Sequence, residues 1–182
     1  MKILYNKKLA AVILVIVILG MILLGGGRSL ARERAREAQL FWNGTSGDGN
    51  SIANDLHVRC EAAANLITVA KRYMDANADE IKALNEARDA LEAALTPTEA
   101  FEANYALTLA ADHLYSVLNN KELSDADKKH VSGQFTELTS RNQTISHDGY
   151  NAKAAAFNQL LGRFPTSIIA AVNGVSPLEL FR

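Results

Sequence analysis

The sequence lacks most of what builds a small secreted domain, a β-sandwich or a metal centre. One cysteine, Cys60, occurs in 182 residues. That excludes an intramolecular disulfide and any cysteine-rich zinc site. Proline occurs three times, and between Ser51 and Leu95 there is neither glycine nor proline. No alternating apolar/polar stretch of strand length appears anywhere. Alanine, in contrast, occurs 29 times, a composition suited to long helices. The net charge of −1 gives no overall basic footprint for nucleic acid.

Catalytic motifs are missing too. There is no G-x-S-x-G, no phosphate-binding loop and no G-x-G-x-x-G. The four histidines, His57, His113, His130 and His147, stand singly, without ligand spacing. The nearest approach to a di-iron motif is Asp127-x-x-His130, which reads better as a solvated helix start. Cys60 sits in a helical pattern between Arg59 and Glu61 and reads as a small packed residue, not a nucleophile. No catalytic residue, cofactor or metal is expected.

What is present is unevenly distributed. Residues 1–50 carry a charge of +4 and residues 51–182 a charge of −5. Leu9 to Leu24 reads LAAVILVIVILGMILL, and the uncharged run extends to Gly27. At the helical rise this covers about 28 Å, close to one hydrocarbon core. Lys2, Lys7 and Lys8 precede it, and Arg28, Arg32, Arg34 and Arg36 follow it. A charge at the bilayer centre is costly, so basic residues at both ends define a span. A cleaved signal peptide is the competing reading, with small residues at Ser29 and Ala31. The run is too long for that, and Arg28 interrupts the expected neutral region. The lysine-only tail places the body outside the cytoplasm. The four arginines read as contacts to lipid phosphates, and Gly25-Gly26-Gly27 is expected to kink the exit.

The chain therefore divides into an anchor (1–27), a basic juxtamembrane helix with a flexible linker (28–50), and a helical body (51–182). The linker signal is NGTSGDGN, from Asn43 to Asn50. In the body, apolar residues step by three and four from Ile52 to Leu95, predicting one unbroken helix that starts at an Ser51 cap. Thr96-Pro97-Thr98 stops it and starts a second helix, to about Asn119. Ser124 caps a third, with Asp125 and Asp127 in its first turn. A phase shift around His147-Asp148-Gly149 predicts local unwinding in that helix. Pro165 interrupts it, a short apolar segment from Ser167 to Val172 follows, and the last residues can dock back on the body. The fold class is all-α: a single transmembrane helix, then an elongated antiparallel bundle of three long helices.

The most informative stretch is residues 150–165, YNAKAAAFNQLLGRFP. Tyr150, Phe157 and Phe164 are spaced by seven, as are Asn151 and Asn158, so the rings should share one seam with the asparagines beside it. Read structurally, the rings fill a core and each asparagine satisfies backbone groups and fixes register. Read functionally, the ladder faces a ligand or partner. The structural reading is the stronger.

These residues resemble the LemA family of bacterial membrane-anchored proteins. The resemblance rests on Tyr150-Asn151, Phe157-Asn158, Phe164-Pro165 and the following Ile168-Ile169-Ala170. Arg59, Asn65-Leu66-Ile67, Tyr73 and Ala87-Arg88 fit as well. Three positions depart: Ala64 replaces a proline, Asn142 a glutamate and His147 an arginine. The resemblance implies an elongated helical bundle on a single-pass anchor in the bacterial cytoplasmic membrane. It brings no agreed catalytic residues. Some members accompany membrane metalloproteases of envelope quality control, and one branch works in magnetosome membrane formation. The resulting expectation is a non-enzymatic envelope scaffold or adaptor, serving membrane organisation or membrane-protein quality control. Its partners are the lipid bilayer and envelope proteins, with self-association open and no nucleic acid. The alternative is an envelope hydrolase with an unrecognised site.

Overall fold

The computed structural model describes residues 7–44 and 50–182, and every described element is helical. Seven helices follow in order: α1 (Lys7–Asn43), α2 (Ile52–Ala70), α3 (Asp79–Ala93), α4 (Pro97–Asn119), α5 (Asp125–Ser146), α6 (Tyr150–Leu161) and α7 (Thr166–Asn173). Lys2 and the middle of the expected linker, residues 45–49, lie outside the described residues.

The start signals act locally as expected. Ser51 accepts a hydrogen bond from the Asn54 amide, which satisfies one free donor of the first turn. Thr96 and Glu99 form a reciprocal capping box, with Pro97 as the first residue of α4. Ser124 accepts from the Asp127 amide at the start of α5. Gly44 (φ 78°) ends α1, its amide donating to Leu40, and Gly174 (φ 65°) ends α7. Both take the left-handed conformation that glycine adopts without steric cost.

Three long body helices were expected, and the structure has more breaks. The helix read as continuous from Ser51 to Leu95 is two, α2 and α3, joined by residues 71–78. That segment has no glycine or proline, but it holds Asp75 and Asn77. The Asp75 carboxylate accepts from the Asn77 amide and closes a local turn. Asp79 and Glu80 then favour the positive end of a new helix. The expected unwinding near His147 is a full break between α5 and α6, where Asp148 accepts from the Tyr150 amide at 2.7 Å. At Gly25–Gly27, where a kink was expected, α1 runs on as helix without a break.

The chain divides into two compact units. One comprises Met1–Ala38 with Ala152–Leu178, the other Gln39–Asn151 with Glu179–Arg182. We call them the apolar unit and the bundle unit. In the bundle unit, α2 packs on α3, α4 and α5, α3 on α4, and α4 on α5. The buried stripe of α4 is Ala100, Asn104, Leu107, Ala111, Leu114 and Leu118, stepping by four and three. On α5 the buried positions are Val131, Leu138 and Ile145, spaced by seven.

The apolar unit is organised differently. The 18-residue apolar window of α1 has no residue buried, and its mean hydropathy is 3.0. It is one helix long and apolar enough to cross a membrane. Further along, α7 lies against α1. The Asn173 carboxamide donates to the Leu23 carbonyl at 3.1 Å and to Ile169 at 2.8 Å. A Cβ on Gly26 would come within 3.2 Å of Ile169, and one on Gly27 would overlap Asn173. These glycines admit the Ile169 and Asn173 side chains of α7 to the α1 backbone.

Candidate functional site

The residues of the aromatic–asparagine ladder have distinct roles. In the bundle unit, Tyr150 is buried. Its ring meets Phe41 edge-to-face at 5.4 Å, and its hydroxyl donates to the Glu179 carbonyl at 2.7 Å. Asn151 pairs with the peptide of Phe181 twice: its Nδ2 donates to the carbonyl at 2.9 Å, and its Oδ1 accepts from the amide at 2.8 Å. The Phe181 ring is anchored against Phe101, edge-to-face at 5.3 Å. In the apolar unit, Asn158 grips Leu178 in the same two-point manner, at 2.8 and 2.7 Å. An extended tail has peptide groups without helical partners, and each carboxamide supplies the donor and acceptor that an adjacent strand would supply.

The three rings do not form one seam. Phe157 is buried, but Phe164 is 82% exposed. The helix carrying the seven-residue spacing ends at Leu161, so the periodicity no longer fixes where Phe164 points. Pro165 follows, at the start of α7, after a cis peptide bond. Of the four arginines read as lipid contacts, Arg28 and Arg32 are exposed. Arg34 instead donates to the carbonyls of Ser176 and Pro177 in the apolar unit, and Arg36 pairs with Glu33 and Glu37.

A polar layer that the periodicity analysis passed over lies inside the bundle unit. Arg59 is 1% exposed, in phase with the apolar stripe of α2. Its guanidinium donates to Asn142 and, at 2.8 Å, to the Thr108 hydroxyl. The buried Asn104 donates to the same Asn142 oxygen at 3.1 Å. No carboxylate hydrogen-bonds to this cation, and Arg59 Nε and Asn104 Oδ1 have no hydrogen-bond partner among the described residues. Burial lowers the Arg59 pKa to about 10, partly offset by Cys60 and Asp112. Asn142 stands where the family resemblance places a glutamate, so the groups that hydrogen-bond to this buried cation are neutral. The signal in the sequence was an arginine at a core phase, four residues before Ala63 and three after Leu56.

The thiol and the carboxylate singled out earlier do structural work. Cys60 is buried. Burial, reinforced by Glu92, pushes its thiol up to about 11, against the opposing pull of Arg88 and Arg59. It is therefore a thiol at neutral pH, and the thiolate is the nucleophilic form. Asp127 accepts from the Tyr73 hydroxyl at 2.6 Å and pairs with Arg72 at 2.9 Å. It closes the α5 start onto the α2–α3 connection, and His130 is exposed. No three His, Cys, Asp or Glu side chains converge among the described residues.

The family model described as LemA family matches residues 49–182. A comparison with curated proteins finds no match.

Proposed function

The chain belongs to the LemA family, and from that membership and the exposed apolar run of α1 we propose a non-enzymatic, membrane-anchored helical scaffold of the bacterial envelope. The run carries the proposal. Leu14, Ile16, Met21 and Leu24 are each about 60% exposed, and a helix that is apolar all round needs an apolar solvent. Lipid supplies it. The protein is single-pass in the cytoplasmic membrane, with Lys7 and Lys8 on one side and Arg28 and Arg32 on the other. The excess of lysine without acid before the span supports a body outside the cytoplasm.

The scaffold role draws on the bundle unit. Phe101, Tyr105 and Leu109 form an exposed stripe along α4 at intervals of four residues, a face suited to an envelope protein whose helix presents a matching stripe. Membrane organisation and membrane-protein quality control are the settings this supports. The protonated state of Cys60 favours this reading over a thiol-dependent hydrolase. The test is photocross-linking from Tyr105 and Leu109 in intact cells. We expect adducts with a small, reproducible set of envelope proteins, lost when Phe101 is replaced by glutamate. Absence of any protein adduct at both positions would count against the scaffold.

A further inference from the structure

We propose that α7 is a second membrane contact, lying in the headgroup–acyl boundary of the leaflet through which α1 leaves the bilayer. The proposal rests on the reading of α1 as an anchor and adds a site to it.

The argument starts with depth. Asn173 bonds the Leu23 carbonyl, and Ile169 and Asn173 pack where Gly26 and Gly27 lack side chains. Leu23 to Gly27 are the last residues of the uncharged run, immediately before Arg28. A helix fixed against those residues shares their depth, which is the edge of the hydrocarbon core. A side chain at Gly27 would displace the Asn173 carboxamide, and one at Gly26 would crowd the Ile169 side chain, so the glycines make room for these two contacts.

The chemistry of α7 matches that depth. Ile168 and Val172, four residues apart on α7, are 50% and 62% exposed, and Phe164, just before the helix, is 82% exposed. Ala171 extends the same face. From Phe164 to Leu178 no residue is charged, and the exposed Arg163 stands just before the run. A charge-free apolar face on a short helix gains free energy by sinking its side chains into the acyl boundary. Free in solution, eight residues would bind lipid weakly. Here α7 is tethered beside a membrane span, so its local concentration at the interface is already high. The continuity of this face with the end of the apolar run assigns it to the bilayer and not to a second protein.

The experiment uses the full chain, with Cys60→Ser, in phosphatidylcholine–phosphatidylglycerol vesicles. A polarity-sensitive fluorophore is attached in turn through Val172→Cys, Leu19→Cys and Leu109→Cys, all exposed positions. At residue 172 we expect blue-shifted emission, resistance to aqueous iodide, and strongest quenching by lipids spin-labelled near the headgroup. Residue 19 should respond most to labels near the chain ends, and residue 109 only to iodide. Iodide quenching at 172 equal to that at 109, with residue 19 deep, would place α7 in water and overturn this proposal while leaving the anchor intact. Shielding at 172 without lipid quenching would show a protein cover and overturn it as well. Iodide access at residue 19 would remove the anchor, and the proposal with it.

Discussion

The two units use the same aliphatic residues in opposite ways. In the bundle unit Leu66, Leu84, Leu107, Leu114 and Leu118 have no exposed surface, and a polar layer is enclosed among them. In the apolar unit the leucines, isoleucines and valines of the α1 run point outward, and so does the apolar face of α7. Burying one such side chain stabilises by about 1.5–3 kcal/mol. The bundle unit obtains that from its own helices, whereas the 18-residue apolar window of α1 has no residue buried; on the proposed reading, lipid supplies what packing does not. Composition identifies apolar residues in both units, but only the presence or absence of packing partners says which solvent each unit is built for.

The largest expected effect concerns the rings of the ladder. Phe157→Ala should cost about 3–5 kcal/mol through lost transfer energy and the cavity left behind. Phe164→Ala should stay within about 0.5 kcal/mol in detergent, as an exposed position does. Denaturant unfolding of the full chain measures both. Equal losses would erase the contrast between a buried and an outward-facing ring.

Next comes the buried cation of the bundle unit. Asn142→Glu supplies Arg59 with a counter-charge and should stabilise by about 1–3 kcal/mol. In an Arg59→Met background the same change should destabilise, because the half-buried carboxylate then lacks the cation it was placed to pair with. The double-mutant cycle tests this reversal of sign. Stabilisation in both backgrounds would show that Arg59 is not the group being compensated.

The asparagine pair is the point at which the two units agree, and it sharpens the comparison. Asn151→Leu and Asn158→Leu each leave a peptide amide and carbonyl of the tail without partners. Each should cost about 1–3 kcal/mol, and hydrogen exchange should rise at Phe181 and Leu178 respectively. If Asn158→Leu were neutral, the tail grip in the apolar unit would be dispensable, and the asparagine would serve register alone.

The smallest effect belongs to Asp127. The Tyr73 hydroxyl, then Ser124, Arg72 and His130, hold its carboxyl below the ordinary carboxylate range. A lowered folded-state pKa contributes stability that is present above the unfolded value of about 3.9 and is lost as pH falls through the folded value. Tyr73→Phe should therefore move the acid-unfolding midpoint to higher pH. An unchanged midpoint would show that the contact contributes nothing.

How far the sequence was legible follows from the range of each signal. Ser51, Ser124 and Pro97 mark helix starts because capping acts within three or four residues, and all of them hold in the structure. The break at 71–78 was missed because periodicity carries through Tyr73 and Met74. What decides it is the side chain of Asp75 and the return of α3 onto α2. The ladder was legible as a structural device, but not its partner: Asn151 and Asn158 reach Phe181 and Leu178, 30 and 20 residues away. The polar layer of Arg59, Asn104 and Asn142 comes from three helices and becomes visible only when their core faces meet. Phe164 fell outside the pattern because its helix had already ended.

The most direct test of the two-solvent account is extraction of native membranes with alkaline carbonate. The account predicts that the intact chain, identified by mass spectrometry of peptides spanning residues 1–27 and 51–182, stays in the membrane pellet. Recovery of the intact chain in the supernatant, or of a soluble form beginning at Arg32, would contradict it.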